Sequence, residues 1–366
     1  MKYTGFALSD EDKDPLFEDA TKFVIENDNA SASFLQRKMS LGYARCARLL
    51  DELQMAGVVG PADGSRPREI FFKQYEEYQP SQSGHLKSLE ASTIEKKDYK
   101  VPEIHLSTPE EILWGQPLSS IKSIPLTIPF GFDNQNQLVS ISIDKLDHLL
   151  ITGNPQGKKM EFLDTLILSQ LLCATPQQLN LILVDESNYL NLYKNLPHLL
   201  SPVINEPDKA LSALKWAQTE IVRRQRIFSN AGVRNYDSYR PLPGVEIFPQ
   251  VLIIVRLFDH DQMFDYAYTQ ITSYGHLTGV HLIMVVDQAS GTFISSQVKA
   301  NMPNRLVFRT TSLSDSLTAG VRGADKLGIG QAILKVADSA ETLINTVYTS
   351  DDNVREVLET IHKANQ

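Results

Sequence analysis

Five apolar runs of strand length, residues 148–152, 179–185, 250–255, 280–286 and 305–309, alternate with helical patterns over 162–173, 209–230 and 262–274. Runs apolar on both faces and separated by helices argue for an α/β domain, a mainly parallel sheet covered by helices. Ligands on such sheets sit beyond the carboxyl ends of the strands. The first run empties there into Gly153-Asn154-Pro155-Gln156-Gly157-Lys158-Lys159-Met160.

That stretch has the layout of a nucleotide-binding turn: strand, glycine, short polar loop, lysines, then an apolar helical pattern. A phosphate loop reads G-x-x-x-x-G-K-[ST], since glycines let backbone N–H groups reach the phosphates, lysine supplies charge and the hydroxyl holds Mg²⁺. Two registers compete. With Lys159 as the phosphate lysine, Lys158 stands for the second glycine and Met160 for the hydroxyl. With Gly157-Lys158, the loop is one residue short and Lys159 stands for the hydroxyl. Both lose the magnesium ligand.

A chain of 366 residues suggests more than one domain. Its net charge of −9 argues against a generally basic nucleic-acid binder but leaves room for a local basic face. Cys46 and Cys173 lie far apart in apolar patterns and read as buried thiols of a reducing cytoplasm. No signal core opens the chain and no apolar run approaches the roughly 20 residues of a membrane span, so the expected setting is soluble and cytoplasmic.

Residues 10–73 form a separate pattern. Leu16, Phe17, Ala20, Phe23, Val24 and Ile25 have helical spacing behind Pro15, and Ser31 to Ser33 can cap a short helix over 34–39. After the turn at Leu41-Gly42, a third helix spans 43–56, and Gly57 ends it before strands at 58–59 and 69–72. Three helices and a two-stranded wing make a winged helix-turn-helix. Arg45 and Arg48 share a face of the third helix, with Arg37 on the second and Arg66 and Arg68 in the wing. Such a helix reads the major groove. The pattern fits DNA contact and protein docking equally well. Residues 74–120 read as a flexible linker, in which 108–114 can form a short capped helix with Trp114 as an anchor. The large domain covers 121–337, and 338–366 is a terminal strand and helix segment.

Asp14-Pro15-Leu16-Phe17, the run from Ala30 to Arg37, Leu41 to Arg48 and Ala56 to Val59 resemble the gamma domain of FtsK/SpoIIIE DNA translocases. That resemblance implies a winged helix that reads short G-rich orienting sequences and contacts a site-specific recombinase. It carries DNA binding onto Arg37, Tyr43, Arg45, Arg48, Arg66 and Arg68. Ala44 stands where the family usually has Asn, which removes a possible base-edge contact. The large domain resembles the same family's RecA-like P-loop NTPase motor. The motifs are His148-Leu149-Leu150, Ile167-Leu168-Ser169, Pro197 to Leu200, Ala213 to Trp216, Gly232 to Asn235, the stretch from Lys299 to Arg305, and Leu327 to Gly330. The order is swapped, since in the family the winged helix follows the motor.

Alignment with the family selects the Lys159 register, so the degenerate nucleotide-binding candidates are Gly153, Gly157, Lys158 and Lys159. It also implies an acidic Asp-Glu pair after the third parallel run, where this chain has Arg256-Leu257, and a Thr-Gln-Arg-Pro sensor where it has Val286-Asp287-Gln288-Ala289. Removing one preorganised electrostatic group typically costs about 10²- to 10³-fold in turnover, and phosphoryl transfer is mostly positioning and charge stabilisation. The expectation is a pseudo-ATPase without catalytic or metal-ligating residues. Two readings of the loop stay open. One is ATP held without tightly bound magnesium, with Lys158, Lys159 and Arg256 standing in for the metal; the other is a repurposed, empty loop. Arg223, Arg224 and Arg226 read as a solvated helix face, Arg234-Asn235 as structural or inter-subunit, Asp185 as structural, and Glu186 as incidental.

The implied function is a catalytically degenerate family member that binds double-stranded DNA and docks on a translocase or recombinase. Two alternatives remain. One is an ATP-driven translocase for chromosome partition or mobile-element segregation, active in a homo- or hetero-oligomeric ring; the other is a protein-interaction scaffold.

Overall fold

The computed structural model describes residues 3–5, 14–55, 58–60, 67, 68, 70, 78–80, 126–256, 262–289 and 294–364. Arg66, Leu257, the helix expected over 108–114 and most of the linker lie outside them. The chain divides into two compact units.

In the first, α1 (Phe17–Glu26), α2 (Ala32–Met39) and α3 (Tyr43–Met55) enclose a core of Phe17, Ala20, Val24, Leu35, Cys46, Leu49 and Leu53. Ser31 caps α2 by accepting from Phe34 N at 3.2 Å, and Ser40 ends it in the left-handed region. Two antiparallel bridges, Ala30 with Arg68 and Val59 with Ile70, supply the wing. A short parallel pair joins β1 (Tyr3–Gly5) to β2 (Tyr78–Pro80).

The second unit holds a nine-stranded sheet in the order β4-β3-β11-β10-β9-β5-β8-β7-β6. Its strands are β3 (Thr127–Phe132), β4 (Leu138–Ser142), β5 (Leu149–Thr152), β6 (Leu179–Asp185), β7 (Gln250–Arg256), β8 (Val280–Val286), β9 (Asn304–Phe308), β10 (Gln331–Lys335) and β11 (Thr342–Thr346). The block β9-β5-β8-β7-β6 is parallel throughout and consists of the five apolar runs. The other four strands join by antiparallel pairing on the β9 side. The residues after 337 supply β11 and also α7 (Asp351–Ala364), whose Val354, Val357, Leu358 and Ile361 enter the main core.

The helix α4 (Lys159–Cys173) follows the loop and is buried on almost every face, its polar Asp164, Thr165, Ser169 and Gln170 included. The helices α5 (Pro207–Asn230) and α6 (Gln262–Tyr274) match the sequence pattern closely. One expectation fails on α5. Arg224 is buried rather than solvated, donating to the carbonyls of Thr278 at 2.9 Å and Pro249 at 2.8 Å. Two carbonyl acceptors satisfy a guanidinium that the sequence alone presents as one of a surface run. Among the described residues, no helix is long and apolar enough to cross a membrane.

Candidate phosphate site and candidate nucleic-acid interface

The carboxyl ends of β5, β6, β7 and β8 bring together the loop after Thr152, Asp185, Arg256 and Asp287. Each arrives because a buried parallel strand ends one residue earlier or at that residue. A pairing of positions 128 residues apart is thereby built by sheet register.

The loop is drawn tightly onto β9. Gly153 has φ +139°, and a Cβ there would lie 2.7 Å from Phe308 Cβ, so glycine is required by the neighbouring strand. Asn154 N donates to Arg309 O at 2.8 Å, and Gly157 N donates to Asn154 O at 3.1 Å. Pro155 has no N–H and opens a 3₁₀ turn over Pro155–Gly157. Three of the positions that would form an anion cradle therefore have no N–H to offer. Lys158 follows at φ +70°, ψ +21°, a left-handed backbone that glycine adopts without strain. The backbone keeps the shape of a glycine position although a lysine fills it.

Lys159 is 2 % exposed and donates to Gly153 O at 2.5 Å and to Asp287 Oδ1. Burial pushes its ammonium below the usual lysine range, against the pull of Asp287, and nearby Arg256 adds to the depression. Arg256 donates through Nη1 to Asp185 Oδ1 at 3.0 Å, reaches Met160 Sδ through Nε at 3.2 Å and stacks over Tyr189. Asp185 is fully buried and also accepts from Ser187 N, Ser187 Oγ and Leu190 N. Lys158 pairs with Glu161 at 2.7 Å. Lys158, Lys159 and Arg256 were expected together as a metal substitute, but each has a carboxylate of its own. Glu186 is exposed, and Asn235 caps the next helix by accepting from Ser238 N, in line with a structural role.

Sequence reasoning missed one feature beside this site. Asp164 on α4 is buried between Tyr189, which donates to it at 2.5 Å, and Tyr193 at 2.6 Å. Burial raises its carboxyl to about 6. The only sequence signal was a charge inside an otherwise apolar helix.

In the first unit the expected DNA contacts separate into two groups. Arg37, Tyr43 and Arg48 are exposed. Arg45 instead makes a bidentate pair with Asp14, both bonds at 2.7 Å, which holds the start of the chain's first helix against α3. Arg68 donates to Leu50 O, Gln54 Oε1 and Asp51 Oδ1 and ties the wing to α3. A pattern of basic residues cannot separate these roles, since the carboxylates that claim Arg45 and Arg68 lie 31 and 17 residues away in sequence.

Comparison with known proteins covers both units. Residues 111–328 match the FtsK/SpoIIIE family and residues 11–73 match the Ftsk gamma domain. The DNA translocase FtsK of Caldanaerobacter subterraneus is 30% identical over 274 residues, covering 72% of this chain and 38% of that protein. The DNA translocase FtsK of Clostridium tetani is 32% identical over 247 residues, covering 64% of this chain and 33% of that protein. The chain thus spans about a third of the length of these relatives. Among solved structures, the pCW3 conjugation coupling protein TcpA, in monomer form with ATPγS, aligns with a TM-score of 0.59 at 16% identity, covering 88% of this chain and 86% of that one, a likeness of fold alone. With its motor-type region and a gamma domain placed ahead of it, the chain belongs to the FtsK/SpoIIIE family.

Proposed function

We propose that this protein is a DNA-binding member of the family whose phosphate site does not hydrolyse ATP on its own. The observation that carries the reading is the state of Lys159. A phosphate-loop lysine is useful when its charge is available to a phosphate; here it is buried and bonded to Asp287 and to the loop's own Gly153 carbonyl.

The surroundings are a poor fit for a magnesium-bound triphosphate. Met160 stands at the place of the metal-binding hydroxyl, with its sulfur 3.2 Å from Arg256 Nε. Arg256 brings a positive charge to the strand end where a metal-ordering carboxylate would be expected. A cation there repels a divalent ion, and its partner Asp185 is fully committed to the fold. The work then falls to duplex DNA bound by the winged helix through Arg37, Tyr43 and Arg48, and to docking on a translocase or site-specific recombinase.

A second reading has its own support. Relatives that cover most of this chain are named DNA translocases, and that similarity favours an ATP-driven translocase, alone or in a mixed ring, more directly than a silent site. The two readings differ in how nucleotide affects DNA. A silent site gives salt-dependent duplex affinity that is unchanged by magnesium and ATP. Fluorescence anisotropy on labelled duplex DNA tests this, and an affinity that changes several-fold with magnesium-ATP would favour the motor.

A further inference from the structure

Beside the phosphate loop, at the carboxyl ends of β5, β8 and β9, lies a cleft of about 60 Å³ whose walls include Thr152, Asn154, Asp287, Thr310, Asp315 and Thr318. Among the described residues, its lining contains no lysine or arginine. Lys299, outside the lining, turns its ammonium to the carbonyls of two wall residues, Ala289 at 3.0 Å and Thr318 at 3.5 Å.

The polar groups of the cleft are acceptors with capacity to spare. Asp287 gives Oδ1 to Lys159, and no described residue donates to its Oδ2. Asp315 accepts from Ser312 Oγ with Oδ2 at 2.9 Å, which leaves Oδ1. Thr152 is 1 % exposed, yet its hydroxyl has no hydrogen-bond partner among the described residues, and it faces the cleft. Asn154 Oδ1 is buried and also unpartnered. An unsatisfied buried acceptor is costly, and here Asn154 Oδ1 and the Thr152 hydroxyl share one opening with two partly exposed carboxylates. Two carboxylates exclude a phosphate. A metal ion is a poor match, because no described group of three or more acidic, histidine or cysteine side chains is arranged to hold one.

The geometry points to a binding site for a guanidinium group, a planar cation with five N–H donors and no acceptor. The rim indicates how that group arrives. Leu313 and Leu317, one turn apart on the short helix that carries Asp315 and Thr318, are 54% and 50% exposed. An arginine carried on a protein segment, with an apolar neighbour beside it, satisfies both the acceptors and the leucines. The site takes an arginine side chain of a partner protein, and this is independent of whether the winged helix binds DNA.

The test uses the full chain with methyl-labelled threonine, titrated separately with N-acetyl-arginine amide, the peptide acetyl-Leu-Arg-Leu-amide and inorganic phosphate. Both arginine probes should shift the Thr152 methyl signal saturably, and phosphate should not. Asp315→Asn should weaken both arginine probes tenfold or more. Asp315→Ser, which also keeps a helix-start residue, serves as the second variant if the first is poorly folded. Leu317→Ser should weaken the peptide threefold or more and leave N-acetyl-arginine amide unchanged. Absence of a saturable shift, or displacement of arginine by phosphate, overturns the site. Equal peptide affinity in Leu317→Ser overturns the protein-borne source.

Discussion

Replacing Asp287 with alanine should destabilise the large domain far more than replacing Lys159 with methionine. The two partners differ sharply in burial, with Lys159 2 % exposed and Asp287 37% exposed. Asp287→Ala strands a buried ammonium with only the Gly153 carbonyl as acceptor. Breaking a fully buried pair in this way costs about 3–5 kcal/mol, and the open side of Asp287 lowers the figure to about 2 kcal/mol. In a domain of this size that is a fall of roughly 4–8 °C in Tm. Lys159→Met removes the buried charge, fills the same space and leaves Asp287 to water, so the change should stay within about 1 kcal/mol. The pH dependence has a definite sign. Lys159 titrates below its unfolded value of 10.5 because of burial, and losing Asp287 depresses it further. Between the folded value and 10.5 the unfolded chain binds more protons, so stability rises with pH there. The Asp287→Ala deficit should therefore be full below the variant's own, lower folded value and shrink as pH climbs from there to the parent's folded value. Thermal melts followed by circular dichroism across the pH range measure this. Equal losses in the two variants, or an Asp287→Ala melt indistinguishable from the parent, would refute the pairing.

Other outcomes follow from the same geometry. Freeing Lys159 in Asp287→Ala should raise the affinity for ATP without magnesium, as read by equilibrium dialysis; unchanged or weaker binding would mean that Asp287 does not occupy the lysine. In the winged helix, Arg37→Ala with Arg48→Ala should weaken duplex binding and reduce the salt slope by about 2. Arg45→Ala should instead lower the melting temperature of that module. Asp14 is held below the usual carboxylate range by its bond to Arg45, so this contribution is present above the unfolded value of 3.8 and is lost as pH falls through the folded one. Equal effects of Arg45→Ala and the double variant on DNA binding would contradict that division. Asp164 has a folded value raised to about 6 from 3.8, so the stability from its protonated form is present below 3.8 and lost as pH rises through about 6. Asp164→Asn should remove that slope from a urea titration.

The five parallel strands were legible because burial on both faces leaves an unbroken apolar run, and all five appear in one block of the sheet. Of the antiparallel strands only β11 was, as the strand expected after residue 337. β4 is partly exposed along its length, and β3 contains Pro129 with a register shift before Gly131, so neither shows a clean period of two. At the site, the identities of Lys159, Met160 and Arg256 could be read, but not their partners. Asp287 and Asp185 reach them only through the order β5-β8-β7-β6, which no local pattern contains. Arg224 and Arg45 show the same limit: an arginine in a run looks solvated until the fold supplies carbonyls or a carboxylate.

The central claim is that a phosphate site whose cations are internally neutralised does not turn over ATP. Steady-state hydrolysis by the full chain, with magnesium and saturating duplex DNA, tests it directly against a Lys159→Ala control. The account expects rates at background for both proteins, with and without DNA. A DNA-stimulated rate that disappears in Lys159→Ala would contradict it and establish the chain as a working motor.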